Sequence, residues 1–291
     1  MSKPPRLTLP PRARARSLST GRGAFAVHEA GEPLRGTALL VPGFTGSKED
    51  FIGVLDPLAS AGYRVVAVDG RGQYESAGPR DEAAYTLSEL GRDLLAQAAA
   101  LGAAERPVHL VGHSLGGLIA REAVLRDASP FASLTLMSSG PAAIDPVQQD
   151  RTKLLVAALE MLRDDMPAVW AAMRAQDPEG AAPDAVELTE FLRERWLATV
   201  PEQLIATGRI LISEPDRVAE LAAVALPKLV LSGAVDYAWP VPWLDAMAVR
   251  LAARRALIAG TEHSPAAEDP AATARALSAF WAEFDGSILS K

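Results

Sequence analysis

The sequence has no cysteine among its 291 residues. That excludes a disulfide framework, a thiolate metal site and a cysteine nucleophile, and it leaves the redox setting open. Long apolar runs are also missing: none reaches the ~18 residues that a membrane span requires. There is no basic excess, since the formal net charge is −7. A sequence-independent nucleic-acid surface needs a surplus of lysine and arginine, and this balance equally gives no support for a surface that binds anionic membranes. Histidine is scarce, with four residues. No cluster of histidines and carboxylates has metal-ligand spacing, so neither a metal nor another cofactor is implied. The expected partner is a small-molecule substrate, with no nucleic acid and no membrane span. The opening stretch, MSKPPRLTLPPRARARS, lacks the apolar segment of a signal peptide and the paired arginines of a twin-arginine signal. A cytoplasmic protein is the expectation, with residues 1–12 as a mobile tail.

What is present is an alternation of strand and helix, in a chain that is 49% hydrophobic and long enough to bury one large core. Arg14 to Ser19 and Ala24 to Glu29 read as two strands joined at Gly21 and Gly23. Thr37 to Val41, Tyr63 to Val68, Val108 to Val111 and Ser133 to Met137 are short apolar runs of the buried-strand type. Helical spacing fills Phe51 to Leu58, Leu87 to Leu101 and Leu115 to about Leu125. Such alternation predicts an α/β protein with a mostly parallel sheet covered by helices on both faces. From about Asp145 to Asp216 no strand is visible, and the composition favours helices that Pro167, Pro178, Pro183 and Pro201 would divide. Strands return at Lys228 to Ser232 and Arg255 to Ala259, and a helix over Ala271 to Phe284 closes the pattern. The sequence has no internal repeat and no low-complexity segment.

The sharpest local signal is Val108-His109-Leu110-Val111-Gly112-His113-Ser114-Leu115-Gly116-Gly117. It places G-x-S-x-G between a predicted strand and a predicted helix, the context that a nucleophilic serine on a tight turn requires. Gly112 and Gly116 let strand and helix approach closely around a strained serine backbone. The amide of Leu115 starts the helix, where amides are unpaired and the dipole favours negative charge. His113, inside the motif, is read as a packing and hydrogen-bonding residue. A serine also needs a base of imidazole type. His28 and His109 lie within predicted strands, so His263, in the loop Gly260-Thr261-Glu262-His263-Ser264-Pro265, is the candidate.

With these motifs the sequence resembles the α/β-hydrolase superfamily over nearly its whole length after the tail. The resemblance implies an α/β-hydrolase fold, with residues 13–144 and 217–291 as the core and 145–216 as an inserted helical cap or lid. It also implies a chain order of serine, acid, histidine, so Ser114 is the expected nucleophile and His263 the base. Asp236, after the strand and glycine of KLVLSGAVD, is the expected acid; the rival is Asp145, after the preceding strand. Glu262, beside the histidine, should point elsewhere. The oxyanion donors should be the backbone amides of Leu115 and Phe44, the latter in Pro42-Gly43-Phe44-Thr45-Gly46, where the family commonly has a histidine in place of Pro42. Asp69-Gly70-Arg71-Gly72-Gln73 resembles a structural turn of the family, with Arg71 holding loops together. GFTGSK looks only faintly like a phosphate loop. Trp170, Trp196 and Trp239 are tentative pocket residues, taken from a set with Met161, Met166, Met173, Phe191 and Trp243.

The implied activity is hydrolysis of a carboxylic ester with a small to medium apolar acyl group through an acyl-enzyme. Lactones, thioesters, amides, the carbon–carbon bonds of diketones and cofactor-free perhydrolysis are alternatives, and a ligand-sensing protein on the same fold is the non-enzymatic one. Asp145 to Asp216 carries roughly two acidic side chains per basic one. Were that field to reach the pocket, neutral esters would be preferred over anionic ones.

Overall fold

The computed structural model describes residues 2–175 and 185–284. Strands β1 (Ala13–Thr20) and β2 (Gly23–Ala30) form a hairpin. Then follow β3 (Gly36–Val41), α1 (Ile52–Ser60), β4 (Tyr63–Val68), α2 (Leu87–Ala100), β5 (Val108–His113), α3 (Leu115–Arg126) and β6 (Phe131–Met137). Four helices come next: α4 (Pro146–Leu162), α5 (Met166–Arg174), α6 (Val186–Ala198) and α7 (Pro201–Ser213). The short α8 (Val218–Ala222) leads to β7 (Lys228–Gly233), α9 (Val241–Arg250), β8 (Arg254–Ile258), α10 (Pro265–Glu268) and α11 (Pro270–Ala282).

The eight strands make one sheet in the order β1-β2-β4-β3-β5-β6-β7-β8. β2 is antiparallel to both its neighbours, and all other pairings are parallel. Side chains alternate across a strand, and here the alternation divides the core. Leu39 and Val41 of β3, with Val66 and Val68 of β4, enter the cluster under α2, α3 and α9. Ala38, Leu40, Val65 and Ala67 enter the opposite cluster, with Leu55 of α1 and Leu277 and Trp281 of α11. Burial on both faces explains why these strands are apolar at every position. A third cluster, with Leu159, Val169, Trp196 and Leu204, belongs to α4–α7.

The chain turns from β3 outward to β4 and then back across β3 to β5. Loops leaving the ends of β3 and β5 therefore diverge, and such a switch point opens a crevice at the carboxyl ends of the strands.

The structure departs from or adds to the sequence reading at three places. Residues 2–12 do not stand free as a tail: Arg195 donates to the Ser2 carbonyl oxygen at 2.7 Å, and Leu7 and Leu9 pack against two of the apolar clusters. Helix α9 was not foreseen; Pro240 and Pro242 stand at its start, where proline is tolerated in the first turn. The expected closing helix forms as α11, and the short α10 ahead of it, ended at Asp269-Pro270, was not foreseen. Pro178, Pro183 and the end of the expected core beyond residue 284 lie outside the described residues.

Candidate active site

Ser114 stands between the last residue of β5 and the first of α3, with φ 54° and ψ −121°. A positive φ is costly for a non-glycine residue and persists only where its surroundings enforce it. The surroundings do so through glycine. A Cβ on Gly112 would overlap the backbone of Gly116 and Gly117, and one on Gly116 would lie 2.5 Å from the carbonyl oxygens of Val41 and Pro42. A Cβ on Gly117 would overlap the side chain of Ser139. The Ser114 amide donates to Met137 O at 2.9 Å, which pins the turn to β6.

The loops after β7 and β8 meet in the same way. A Cβ on Gly233 would overlap the carbonyl groups of Thr261 and Glu262, and the Ala234 amide donates to Thr261 O at 2.8 Å. This close approach brings Asp236 against His263, whose Nδ1 lies 3.0 Å from both carboxylate oxygens. Oδ1 of Asp236 also accepts from the amides of Ala238 (2.9 Å) and Trp239 (3.0 Å), so the carboxylate is held by backbone on its other side. A carboxylate only accepts, so Nδ1 of His263 carries the proton and Nε2 is left with its lone pair. Trp239 is fully buried 6.4 Å from the His263 ring, in space that Gly140 leaves open, and donates to Ala142 O at 2.8 Å. Asp145, the rival acid, is occupied elsewhere as the N-cap of α4, accepting from the Val147 amide at 2.9 Å.

His113 is bound to the base loop: its Nε2 donates to the His263 carbonyl oxygen at 2.8 Å. Burial, reinforced by the neighbouring His263, lowers its pKa from the ordinary 6.5 to about 4. His113 is thus a neutral strut between the elbow and the base loop.

Ser114, His113 and His263 open onto a cavity of about 650 Å³. One wall is Gly43, Phe44, Thr45 and Gly46, from the loop after β3. A Cβ on Gly43 would lie 3.1 Å from that of Ser114, so loop and nucleophile are in contact. Among the described residues the amides of Phe44 and Leu115 have no hydrogen-bond partner. The far wall comes from α4 and α5, through Leu155, Ala158, Val169, Ala172 and Met173, with Ile144 and Leu211 beside them.

The three tentative pocket tryptophans do not line this cavity. Trp170 and Trp196 are buried in the helices' own cluster, where Trp196 donates to Met166 O at 3.1 Å, and Trp239 lies beneath the acid. Of the methionines named with them, Met173 does line the cavity, while Met161 is exposed. No aspartate or glutamate is among the described lining residues.

Sequence reasoning missed three supports of the site. Gln73 donates from Nε2 to Gly43 O at 2.9 Å and so props the loop beside Ser114. Lys48 lies buried among Asp69 (2.9 Å), Glu49 (2.8 Å) and Glu75 (2.6 Å). Burial alone would lower its pKa, but Asp69 and Glu49 outweigh that and raise it. A lysine so surrounded cannot serve a phosphate, which disposes of the faint phosphate-loop reading. The third support is Arg195 of α6, buried, which donates to Asp50 Oδ1 (2.9 Å), to Ser47 Oγ (3.2 Å) and to Ser2 O. It ties the inserted helices and the N-terminal segment to the loop after β3. Arg71 holds loops as expected, pairing with Asp93 and donating to Arg22 O at 3.3 Å. Glycine spacing could not reveal these residues, because each acts through a side chain on a partner remote in sequence.

Comparison with known proteins agrees with this architecture. The model of the alpha/beta hydrolase family matches residues 38–276. A pimeloyl-[acyl-carrier protein] methyl ester esterase of Edwardsiella ictaluri is 31% identical over 231 residues, 77% of this chain and 85% of that protein. A proline iminopeptidase of Lacticaseibacillus rhamnosus is 25% identical over 232 residues, 72% and 78% of the two chains. A carboxylesterase structure from Nitrososphaera gargenis superposes with a TM-score of 0.75 at 18% identity, covering 94% of this chain and all of the other.

Proposed function

The chain belongs to the alpha/beta hydrolase family, and from that premise we propose that it is a serine hydrolase cleaving carboxylic esters with a small to medium apolar acyl group. The single observation that carries the proposal is His263, paired with Asp236, on the wall of the same cavity as a strained Ser114. The similarity to a protein named as a methyl ester esterase supports an ester as the bond cleaved.

In this reading Ser114 Oγ attacks the ester carbonyl while His263 Nε2 takes its proton. The imidazolium that forms is stabilised by Asp236, which also holds the ring in the tautomer able to accept. Negative charge gathers on the former carbonyl oxygen, and the unpartnered amides of Phe44 and Leu115 receive it. Donors fixed in advance are worth the most where charge develops. His263 then passes its proton to the departing alcohol, leaving an acyl-Ser114. Water attacks that ester, His263 again taking a proton, and the carboxylic acid leaves as Ser114 recovers its own. Helices α4–α7 act as the cap, since α4 and α5 supply the apolar wall against which an acyl chain would lie.

The test is turnover of 4-nitrophenyl esters of graded acyl length, together with labelling by a fluorophosphonate probe. Turnover and labelling that both vanish in Ser114→Ala support the reading. A protein that neither labels nor turns over any ester, while binding an apolar ligand in the cavity, would instead be a sensor on this fold.

A further inference from the structure

Among the described residues that line the cavity over Ser114, one is an arginine, lysine, aspartate or glutamate: Arg151. It sits on the face of α4 that also presents Gln148, Thr152, Leu155 and Ala158 to the cavity, a spacing of three and four that keeps them on one side of a helix. Arg151 is exposed, which places it at the rim, whereas the apolar wall of Leu155, Ala158, Val169 and Met173 lies along the cavity. Several other cations of the inserted helices are engaged: Lys153 by Asp150 (2.9 Å), Arg195 by Asp50 (2.9 Å) and Arg209 by Glu82 and Glu160. Among the described residues the Arg151 side chain has neither an ion pair nor a hydrogen bond, and it alone of the cations of these helices is among the described lining of the cavity.

We infer that Arg151 is a specificity residue that selects esters whose apolar acyl chain ends in a carboxylate, as in the half-esters of dicarboxylic acids. The inference rests on the hydrolase reading above and refines its substrate class. An apolar chain bound at Ser114 gains by covering the wall, and a neutral end leaves the guanidinium hydrated with nothing gained. A terminal carboxylate of the right reach meets a planar fork of donors that fits it bidentately. The chain's overall negative charge does not cancel this. Among the described residues no carboxylate of 145–216 lines the cavity, and charges beyond roughly 8 Å are largely screened at physiological salt. The contact is remote from the reacting carbonyl, so it strengthens substrate and transition state alike and acts through KM.

The test is kcat and KM of the full chain for a homologous series of 4-nitrophenyl half-esters of dicarboxylic acids, each paired with the neutral terminal amide of equal length. A second arm carries the carboxylate on the alcohol instead. At the best length the wild type should favour the acyl-side anion about five- to tenfold in kcat/KM, through KM, and added salt should shrink the gap. Arg151→Gln should abolish that preference and leave the neutral partner within about twofold; Arg151→Glu should reverse it. No anionic preference at any length, an equal loss on both esters in Arg151→Gln, or a preference confined to the alcohol-side anion overturns the assignment to the acyl chain. In each of these the wild type still turns over the neutral ester. Failure of the hydrolase reading is distinct, because the wild type would then turn over neither member of any pair.

Discussion

The carboxyl end of the sheet and the helices inserted between β6 and β7 are built by opposite means. At the sheet, geometry is set by backbone against backbone: Gly112, Gly116 and Gly233 each fill a place where even a Cβ would collide with neighbouring main chain. In the inserted helices, geometry is set by side chains: a cluster of large apolar residues inside, and ion pairs such as Arg80–Asp164 and Arg209–Glu160 outside. Close-packed backbone has no softer arrangement to relax into, whereas helices on a side-chain cluster can shift and repack. Under the proposed function the difference teaches a division of labour, with chemistry falling where the structure tolerates nothing and substrate choice where it tolerates much.

The largest expected break in that comparison is at Ser114. Ser114→Ala should fold normally and lose on the order of 10⁴-fold or more in kcat, because the remaining donors and binding act without a nucleophile. Single-turnover and steady-state assays with a neutral ester measure it, and undiminished labelling of the variant by a fluorophosphonate would remove Ser114 from the mechanism. Asp236→Asn comes next, with a fall of about 10³–10⁴ in kcat, since an amide can hold His263 in the wrong tautomer. Asp145→Asn should leave kcat within a few-fold and act on stability alone, because asparagine also caps helices well. A reversed ranking of these two would transfer the acid role to the loop after β6.

Gly116→Ala tests the backbone side of the contrast. One methyl group 2.5 Å from two carbonyl oxygens must displace β3 or α3, at a cost of about 1–3 kcal/mol or more, and kcat should fall with it. A variant as stable and active as wild type in urea unfolding and ester assays would show that the elbow is softer than its contacts imply. By contrast, Met161→Ala, at an exposed position of α4, should change stability by less than about 0.5 kcal/mol.

A graded effect, read through pH, concerns His113. Its folded pKa is lowered to about 4 from 6.5, by burial and then by His263. The unfolded chain therefore binds more protons than the folded one between those values, and stability rises with pH there. The contribution is fully present above about pH 6.5 and is lost as pH falls towards 4. Urea unfolding at pH 7 and pH 5 should differ by about 1–2 kcal/mol from this group. His113→Gln should flatten that part of the profile, and an unchanged slope would mean that other groups carry it.

How much was legible in the sequence follows the same boundary. Ser114, His263 and Asp236 were readable because each sits in a turn whose glycines mark a backbone requirement, and glycine spacing is a local property of the chain. The alternation of buried strands and helices was readable because a strand covered on both faces must be apolar throughout. The cavity wall was not. Trp170 and Trp196 announce bulk but not direction, and the helix cluster took both. Arg195 resembled any solvated arginine among the glutamates of α6, since its partner Asp50 lies 145 residues away. Helix α9 was hidden by prolines that open it.

The buried contact of Arg195 has a consequence for how such proteins could diversify or be redesigned. A cap is an attractive module to exchange between relatives, because it enters and leaves the chain at two nearby points beside β6 and β7. Here the module has a third attachment, through Arg195 to Ser47 and Asp50 and on to the Ser2 carbonyl. A transplanted cap without an arginine at that place would leave Asp50 buried without its cation, a change that typically costs several kcal/mol. It would also release the N-terminal segment that borders the cavity. Recombination at the visible seams is therefore not enough: a stable chimera would have to carry residues 2, 47 and 50 along with the helices, or keep an arginine in the place of Arg195.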